Sequence, residues 1–175
     1  LTPDKIKDIY EEISEINPDI IITCAYGKIL PESILNVPKL GCINVHASLL
    51  PKYRGASPIQ SAILNGEEKT GVTIMYMDKG MDTGNIISCK SIDIESFDNL
   101  ETLSNKLSFL GASLLKETLP LIVKNENESI KQNDENATYT GLITRKDEKI
   151  DFNKNGKDII NQIRAFAPSP YANFI

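Results

Sequence analysis

The chain has 175 residues, 41% of them apolar and 25% charged, with a formal charge of −5 at neutral pH. That composition excludes a disordered chain and allows one packed domain with a small second piece, held without disulfides or metals. It argues against a dedicated nucleic-acid module, which is usually basic, and no stretch approaches the ~20 apolar residues of a membrane span.

The elements follow in chain order. Thr2 and Pro3 suit a helix start, and Ile6, Ile9, Ile13 and Ile16 recur at helical spacing until Asn17-Pro18 ends the run. Asp19 to Ala25 is β-branched and short, which predicts a buried strand. Leu30-Pro31 opens a loop or one-turn helix up to Pro38. Gly41 to Ser48 reads as a second strand, and Pro58 to Leu64 as a helix closed by Asn65-Gly66. Thr70 to Asp78 is a third strand, residues 79–84 a loop, and Asn85 to Ile94 a fourth strand.

Asp98 then caps a long helix, answered by Glu101 as in a capping box. Leu100, Leu103, Leu107, Leu110, Leu114 and Leu115 form its apolar stripe, and Pro120 bends or ends it. Residues 125–136 are polar and read as a loop or hairpin. A last helix spans 156–167, with Ile159, Ile160, Ile163 and Phe166 inward, stopped by Pro168-Ser169-Pro170. Alternating helix and strand signals predict an α/β fold with a largely parallel sheet, the close strands at 70–94 suggesting some antiparallel pairs.

Cys24, Cys42 and Cys89 are scattered and odd in number, which suits a reducing cytoplasm. Leu1 falls inside what reads as a loop, with no Met, and predicts a piece of a longer protein.

The chemistry centres on His46, the single histidine. Alternation along a strand puts Cys42, Asn44, His46 and Ser48 on one face, near the C-terminal end where ligands of open α/β sheets bind. An Asn amide can donate to a developing oxyanion, and a His can donate or move a proton. Asp82, bracketed by Gly80 and Gly84 in the loop after the third strand, is either a turn former or a carboxylate brought to His46. Converging Asn44, His46 and Asp82 would suit nucleophilic attack on a carbonyl.

Other chemistries lack parts. Cys42 and His46 offer a pair for zinc but no complete ligand set, so no metal is expected. No GxGxxG, P-loop or GxSxG motif is present. Ser48 as nucleophile would lack a second His to activate it. Lys52 and Arg54 flank Tyr53 beside the expected site, either as a solvated loop or as contacts to an anionic substrate.

The stretch Gly41-Cys-Ile-Asn44-Val-His46-Ala-Ser48-Leu-Leu-Pro51-Lys-Tyr-Arg-Gly55 resembles the folate-dependent formyltransferases, as does Thr70-Gly-Val-Thr-Ile-Met-Tyr-Met-Asp78-Lys-Gly-Met-Asp82-Thr-Gly84. Each motif alone is weak; their order and spacing together are specific. Ala25 to Pro31, Ile150-Asp151-Phe152 and Ile163 to Pro170 are most similar to the branch acting on methionyl-tRNA. Relatives often have Trp where Tyr53 and Phe152 stand, and Lys where Leu142 stands.

The resemblance implies a Rossmann-like formyltransferase core, here without its first strands, over residues 1–137. Residues 138–175 would be a linker and the start of a C-terminal region, cut before a β-barrel domain. It implies formyl transfer from 10-formyltetrahydrofolate to the α-amino group of methionine on initiator tRNA, in a cytoplasmic monomer without metal. Asn44 and His46 would hold the oxyanion, Asp82 would orient His46 and help move the amine proton, and Ser48, Leu49, Leu50 and Pro51 would line the folate side. Alternatives are an amino sugar or glycinamide ribonucleotide as acceptor, or water.

Overall fold

A computed structural model describes residues 5–174, so the expected Thr2 cap and Pro3 lie outside the described residues. The chain enters through a 3₁₀ turn, Ile6–Ile9, that runs into α1, Tyr10–Ile16. Four strands form the main sheet: β1 (Ile21–Cys24), β2 (Cys42–His46), β4 (Lys69–Tyr76) and β5 (Ile86–Asp93), in that spatial order. The short helix α2 (Glu32–Leu35) links β1 to β2. Strand β3 (Arg54–Gly55) and helix α3 (Pro58–Leu64) lie between β2 and β4. Then come α4 (Leu100–Val123), the two-residue strand β6 (Tyr139–Thr140) and α5 (Gly156–Phe166). Among the described residues no helix is long and apolar enough to cross a membrane.

The sheet is mixed, which corrects the expectation of a largely parallel one. Only β1 and β2 pair parallel; β2 with β4 and β4 with β5 pair antiparallel. The link from β4 to β5 covers residues 77–85, and a parallel return needs a crossover of about a dozen residues or more. The link from β2 to β4 is long enough for a crossover, but it is used for β3 and α3. A second, two-stranded parallel pairing joins β3 to β6. Two residues per strand carry no hydrophobic period, so these strands left no trace in the sequence pattern.

The two sheet faces do different work. Ile43, Val72 and Ile74 are fully buried on one face, and Val45 packs with them. Helix α4 lies there, with Leu103, Leu107 and Leu114 inward, and Gly111 allows its backbone close to Val45 and Val72. The stripe continues through Thr118 and Ile122, because the helix passes Pro120 and runs to Val123. The opposite face carries Cys42, Leu30 and Ile34 at one end, with Ile6, Ile13 and Met77 against them. Asn44 and His46 share this second face, as strand alternation requires.

Helix ends differ in detail from the sequence reading. Asn99, not Asp98, caps α4, and Thr102 completes the box. Asp98 does something else. Its buried carboxylate accepts from the Glu95 amide at 2.8 Å, the Thr102 hydroxyl at 2.9 Å and the Lys106 ammonium at 2.7 Å. The Asp98 carbonyl accepts from Arg164 Nε at 2.7 Å, which ties α5 to the start of α4. On α5 the inward face is Asn161, Gln162, Ala165 and Phe166, while Ile160 and Ile163, expected inward, are exposed. Phe166 is buried as expected, but Asn161 and Gln162 take the inward places of the two isoleucines, Gln162 donating to the Asp147 and Lys149 carbonyls.

Burial alone would raise the Asp98 pKa, but the bonds from Lys106, Glu95 and Thr102 outweigh it and hold the group below its ordinary value. Its stabilisation is therefore complete above ~3.9 and is lost as pH falls through the lower folded value. Asp98→Asn is expected to lower stability by ~2 kcal/mol at neutral pH in urea unfolding. The deficit should hold at neutral and mildly acidic pH and shrink as pH falls below ~3.9 toward the lower folded value; a deficit that stays constant there would contradict the assignment.

Candidate active site

His46 ends β2 and is 5% exposed. Its Nε2 lies 2.9 Å from the Tyr53 carbonyl oxygen. A carbonyl can only accept, so Nε2 carries the hydrogen. Nδ1 faces Asp82 Oδ2 at 3.6 Å. Nε2 is thus occupied, and Nδ1 is the edge left for chemistry. The separation exceeds a direct hydrogen bond and leaves Nδ1 and the carboxylate side by side.

Asn44 is held by a residue the sequence did not single out. Thr23, its neighbour across the β1–β2 register, donates from Oγ1 to Asn44 Oδ1 at 2.9 Å. With Thr23 as the donor, Asn44 Oδ1 is engaged and Nδ2 is the amide's remaining donor. Asp82 is held from two sides. Its Oδ2 accepts from the Gly55 amide at 2.8 Å, and its carbonyl accepts from Gln132 Nε2 at 2.8 Å. Its backbone is left-handed, φ 54°, which is uncommon for a residue with a side chain.

The three expected catalytic residues therefore converge: His46 with Asp82 directly, and Asn44 one strand alternation away on the same face. The expected folate-side residues form a tight loop after β2. The Ser48 hydroxyl is buried and donates to the Lys52 carbonyl at 2.6 Å. The Leu50 amide donates to Thr73 Oγ1, which donates in turn to the Ser48 carbonyl. Leu50 is buried, while Leu49 and Pro51 are half-buried.

Arg54 is neither a solvated loop residue nor a free anion contact. It is 1% exposed. Its Nε and Nη2 donate to Gln132 Oε1 at 3.1 and 2.8 Å, Nη2 also to Asp134 at 2.8 Å, and Nη1 to the Tyr139 hydroxyl at 3.1 Å. Lys52 is exposed and stands 3.9 Å from Glu67. Tyr53 has a left-handed backbone, φ 61°, which turns its carbonyl to His46. Its phenol donates to Glu67 at 2.6 Å and accepts from Asn65 at 3.1 Å. Burial and the Glu67 carboxylate push that phenol up to about 12, so it remains a donor.

Burial pushes the Cys42 thiol up to about 11, which makes it a poor nucleophile near neutrality. Among the described residues no group of three or more His, Cys, Asp or Glu side chains converges to hold a metal ion.

Residues 4–119 match the family model "Formyl transferase". The chain belongs to the formyl transferase family. Residues 142–175 match the model "Formyl transferase, C-terminal domain". The chain is 56% identical over 172 residues to methionyl-tRNA formyltransferase of Staphylococcus epidermidis, covering 97% of the chain and 56% of that protein. It is 56% identical over 162 residues to the Staphylococcus aureus MW2 protein of the same name, covering 93% and 52%. The chain thus spans about half the length of these curated relatives.

Among solved structures it is similar to a 4-N formyltransferase from Francisella tularensis, with TM-score 0.83 and 27% identity over 98% of this chain and 70% of that one. A sugar 3N-formyl transferase crystallised in the presence of dTDP and 5-N-formyl-THF gives TM-score 0.74 and 34% identity, covering 87% and 57%.

Gly55, whose amide holds Asp82, leaves no room for a side chain. Its φ is +109°, and a Cβ there would run into the Thr140 carbonyl across the β3–β6 pairing. Gly55→Ala is expected to destabilise by ~2 kcal/mol or more in chemical denaturation, since both strain and clash apply. An unchanged midpoint would mean that β3 and β6 do not pair as described.

Proposed function

We propose that the protein transfers the formyl group of 10-formyltetrahydrofolate to the α-amino group of methionine carried on initiator tRNA. The convergence of Asn44, His46 and Asp82 carries the reading, because it supplies an oriented donor, a proton-handling ring and a carboxylate on one face. The 56% identity to methionyl-tRNA formyltransferases supports the choice of acceptor. A folate donor is supported by the relative crystallised with 5-N-formyl-THF.

In this reaction the amine nitrogen bonds to the formyl carbon, and the carbonyl oxygen becomes an oxyanion. Asn44 Nδ2 donates to it. Nε2 of His46 is engaged with Tyr53, so Nδ1 serves the reacting atoms. Nδ1 and Asp82 take the proton that the attacking amine loses. The C–N bond to the donor then breaks, and the donor nitrogen takes up a proton as it leaves. Ser48, Leu49, Leu50 and Pro51 would line the folate side. With Ser48 and Leu50 turned inward, recognition there falls on the loop backbone and on Leu49 and Pro51.

We place the catalytic part at 1–137 and the linker and start of the C-terminal part at 138–175, in keeping with family matches on either side of that boundary. A cytoplasmic monomer fits this reading.

A second reading keeps the chemistry and changes the acceptor to an amino sugar. It is favoured by the likeness to a dTDP-3-aminofucose complex of a Helicobacter canadensis N-formyltransferase, at 38% identity over 71% of this chain and TM-score 0.65. The test is formylation by the purified protein with 10-formyltetrahydrofolate and, in parallel, charged initiator tRNA, a dTDP-amino sugar, glycinamide ribonucleotide and water alone. Transfer to methionyl-tRNA far above the others is expected; formate release without acceptor would indicate a hydrolase. Asn44→Ala, His46→Ala and Asp82→Ala should each lower kcat by about 10²–10³. Wild-type kcat in all three would remove the mechanism.

A further inference from the structure

Gln132 lies in the polar stretch before β6, far from the motifs that identify the family. It is 5% exposed, and both ends of its amide are fully used. Nε2 donates to the carbonyls of Asp82 and Gly84, at 2.8 and 2.7 Å. Oε1 accepts twice from Arg54. An amide has two hydrogens and one oxygen with two lone pairs, so all four capacities are met. Its orientation is unambiguous as well, because Arg54 can only donate and carbonyls can only accept.

These bonds meet the loop where it needs them. Asp82 sits in the left-handed region, and such a residue persists only where its surroundings over-determine it. Gln132 grips the carbonyls of Asp82 and Gly84, on either side of Thr83. The next residue pair in contact is the Asp82 carboxylate with the Gly55 amide and His46. Gly84 lies too close to the Tyr76 carbonyl for a side chain to fit.

We propose that Gln132 is a positioning residue that holds the 82–84 backbone in the shape that aims the Asp82 carboxylate at Nδ1 of His46. It acts on the reaction through Asp82 and touches no substrate. The proposal rests on the reading of Asp82 as a member of the catalytic set.

Gln132→Glu separates this role from simple packing. The side chain keeps its size and an oxygen for Arg54, but presents an acceptor to two carbonyls. Gln132→Met, which removes donor and acceptor together, replaces it if the Glu variant does not fold. A misplaced catalytic group should appear as a kcat reduced about tenfold or more, with KM for donor and acceptor nearly unchanged.

The deciding measurement is a double-mutant cycle with Asp82→Ala. The Gln132 substitution should lower kcat in the wild-type background and add nothing once Asp82 is gone. Additive losses, or a wild-type kcat in the folded single variant, would overturn the proposal. The cycle uses whichever acceptor the wild type formylates best, so failure with methionyl-tRNA alone would count against the proposed substrate and not against Gln132. The chain's single histidine supplies a readout without turnover. In the variant the imidazole ¹⁵N signal of Nδ1 should move while that of Nε2 stays; an unmoved Nδ1 would overturn the proposal.

Discussion

Arg54 carries a permanent charge in a position almost wholly shut off from water. A buried charge without partners costs several kcal/mol, so the fold must bring acceptors to it. Burial would favour loss of its proton, but the bonds to Asp134 and Tyr139 outweigh that and keep it charged. All its partners come from residues 132–139, about eighty positions along the chain. Satisfying this one side chain therefore fastens the loop after β2 to the segment after α4. Tyr139 and Thr140 then pair with β3, and the Gly55 amide is left directed at Asp82.

The sheet explains why this fastening has a catalytic consequence. The face with Ile43, Val72 and Ile74 is closed by helices and is mainly apolar, with the Ser88–Thr118 hydroxyl pair (2.7 Å) bonded within it. The other face is covered by small elements and loops. Polar residues on it must find partners, and each one does: Asn44 with Thr23, Thr73 with the Ser48 carbonyl, His46 with Tyr53. These bonds fix side chains in single orientations, which is what electrostatic stabilisation of a short-lived oxyanion requires. The same satisfaction of buried polar groups that stabilises the fold thus preorganises the site.

The elements with a period were legible. The stripe of α4 and the one-face placement of Asn44 and His46 follow from regular repeats that burial enforces, and the boundaries of α3 from Pro58 and Asn65-Gly66 at its ends. Sheet direction was less legible, because a strand pattern says which face is buried and not which way the chain runs. The pairing of His46 with Asp82 depends on the path of the 79–84 loop, which no repeat in the sequence specifies. Thr23, Tyr53 and Gln132 carried no signal at all. Thr23 looks like any β-branched strand residue. Tyr53 acts through its carbonyl, which every residue has. Gln132 sits in a run of polar residues typical of a loop, and only burial against Arg54 distinguishes it.

The segment from Gln132 to Thr140 lies between the stretch matching the formyl transferase core and the stretch matching its C-terminal domain. It is not a passive connection. Gln132 bonds the backbone of the Asp82 loop, Asp134 and Tyr139 bond Arg54, and the Thr138 hydroxyl accepts from the Tyr53 amide at 2.8 Å. The Tyr53 carbonyl is the one that holds His46. Both members of the His46–Asp82 pair are therefore braced by one stretch of chain. Any displacement of that stretch would loosen the ring and the carboxylate together. Ordering the segment and assembling the site are in that sense one event.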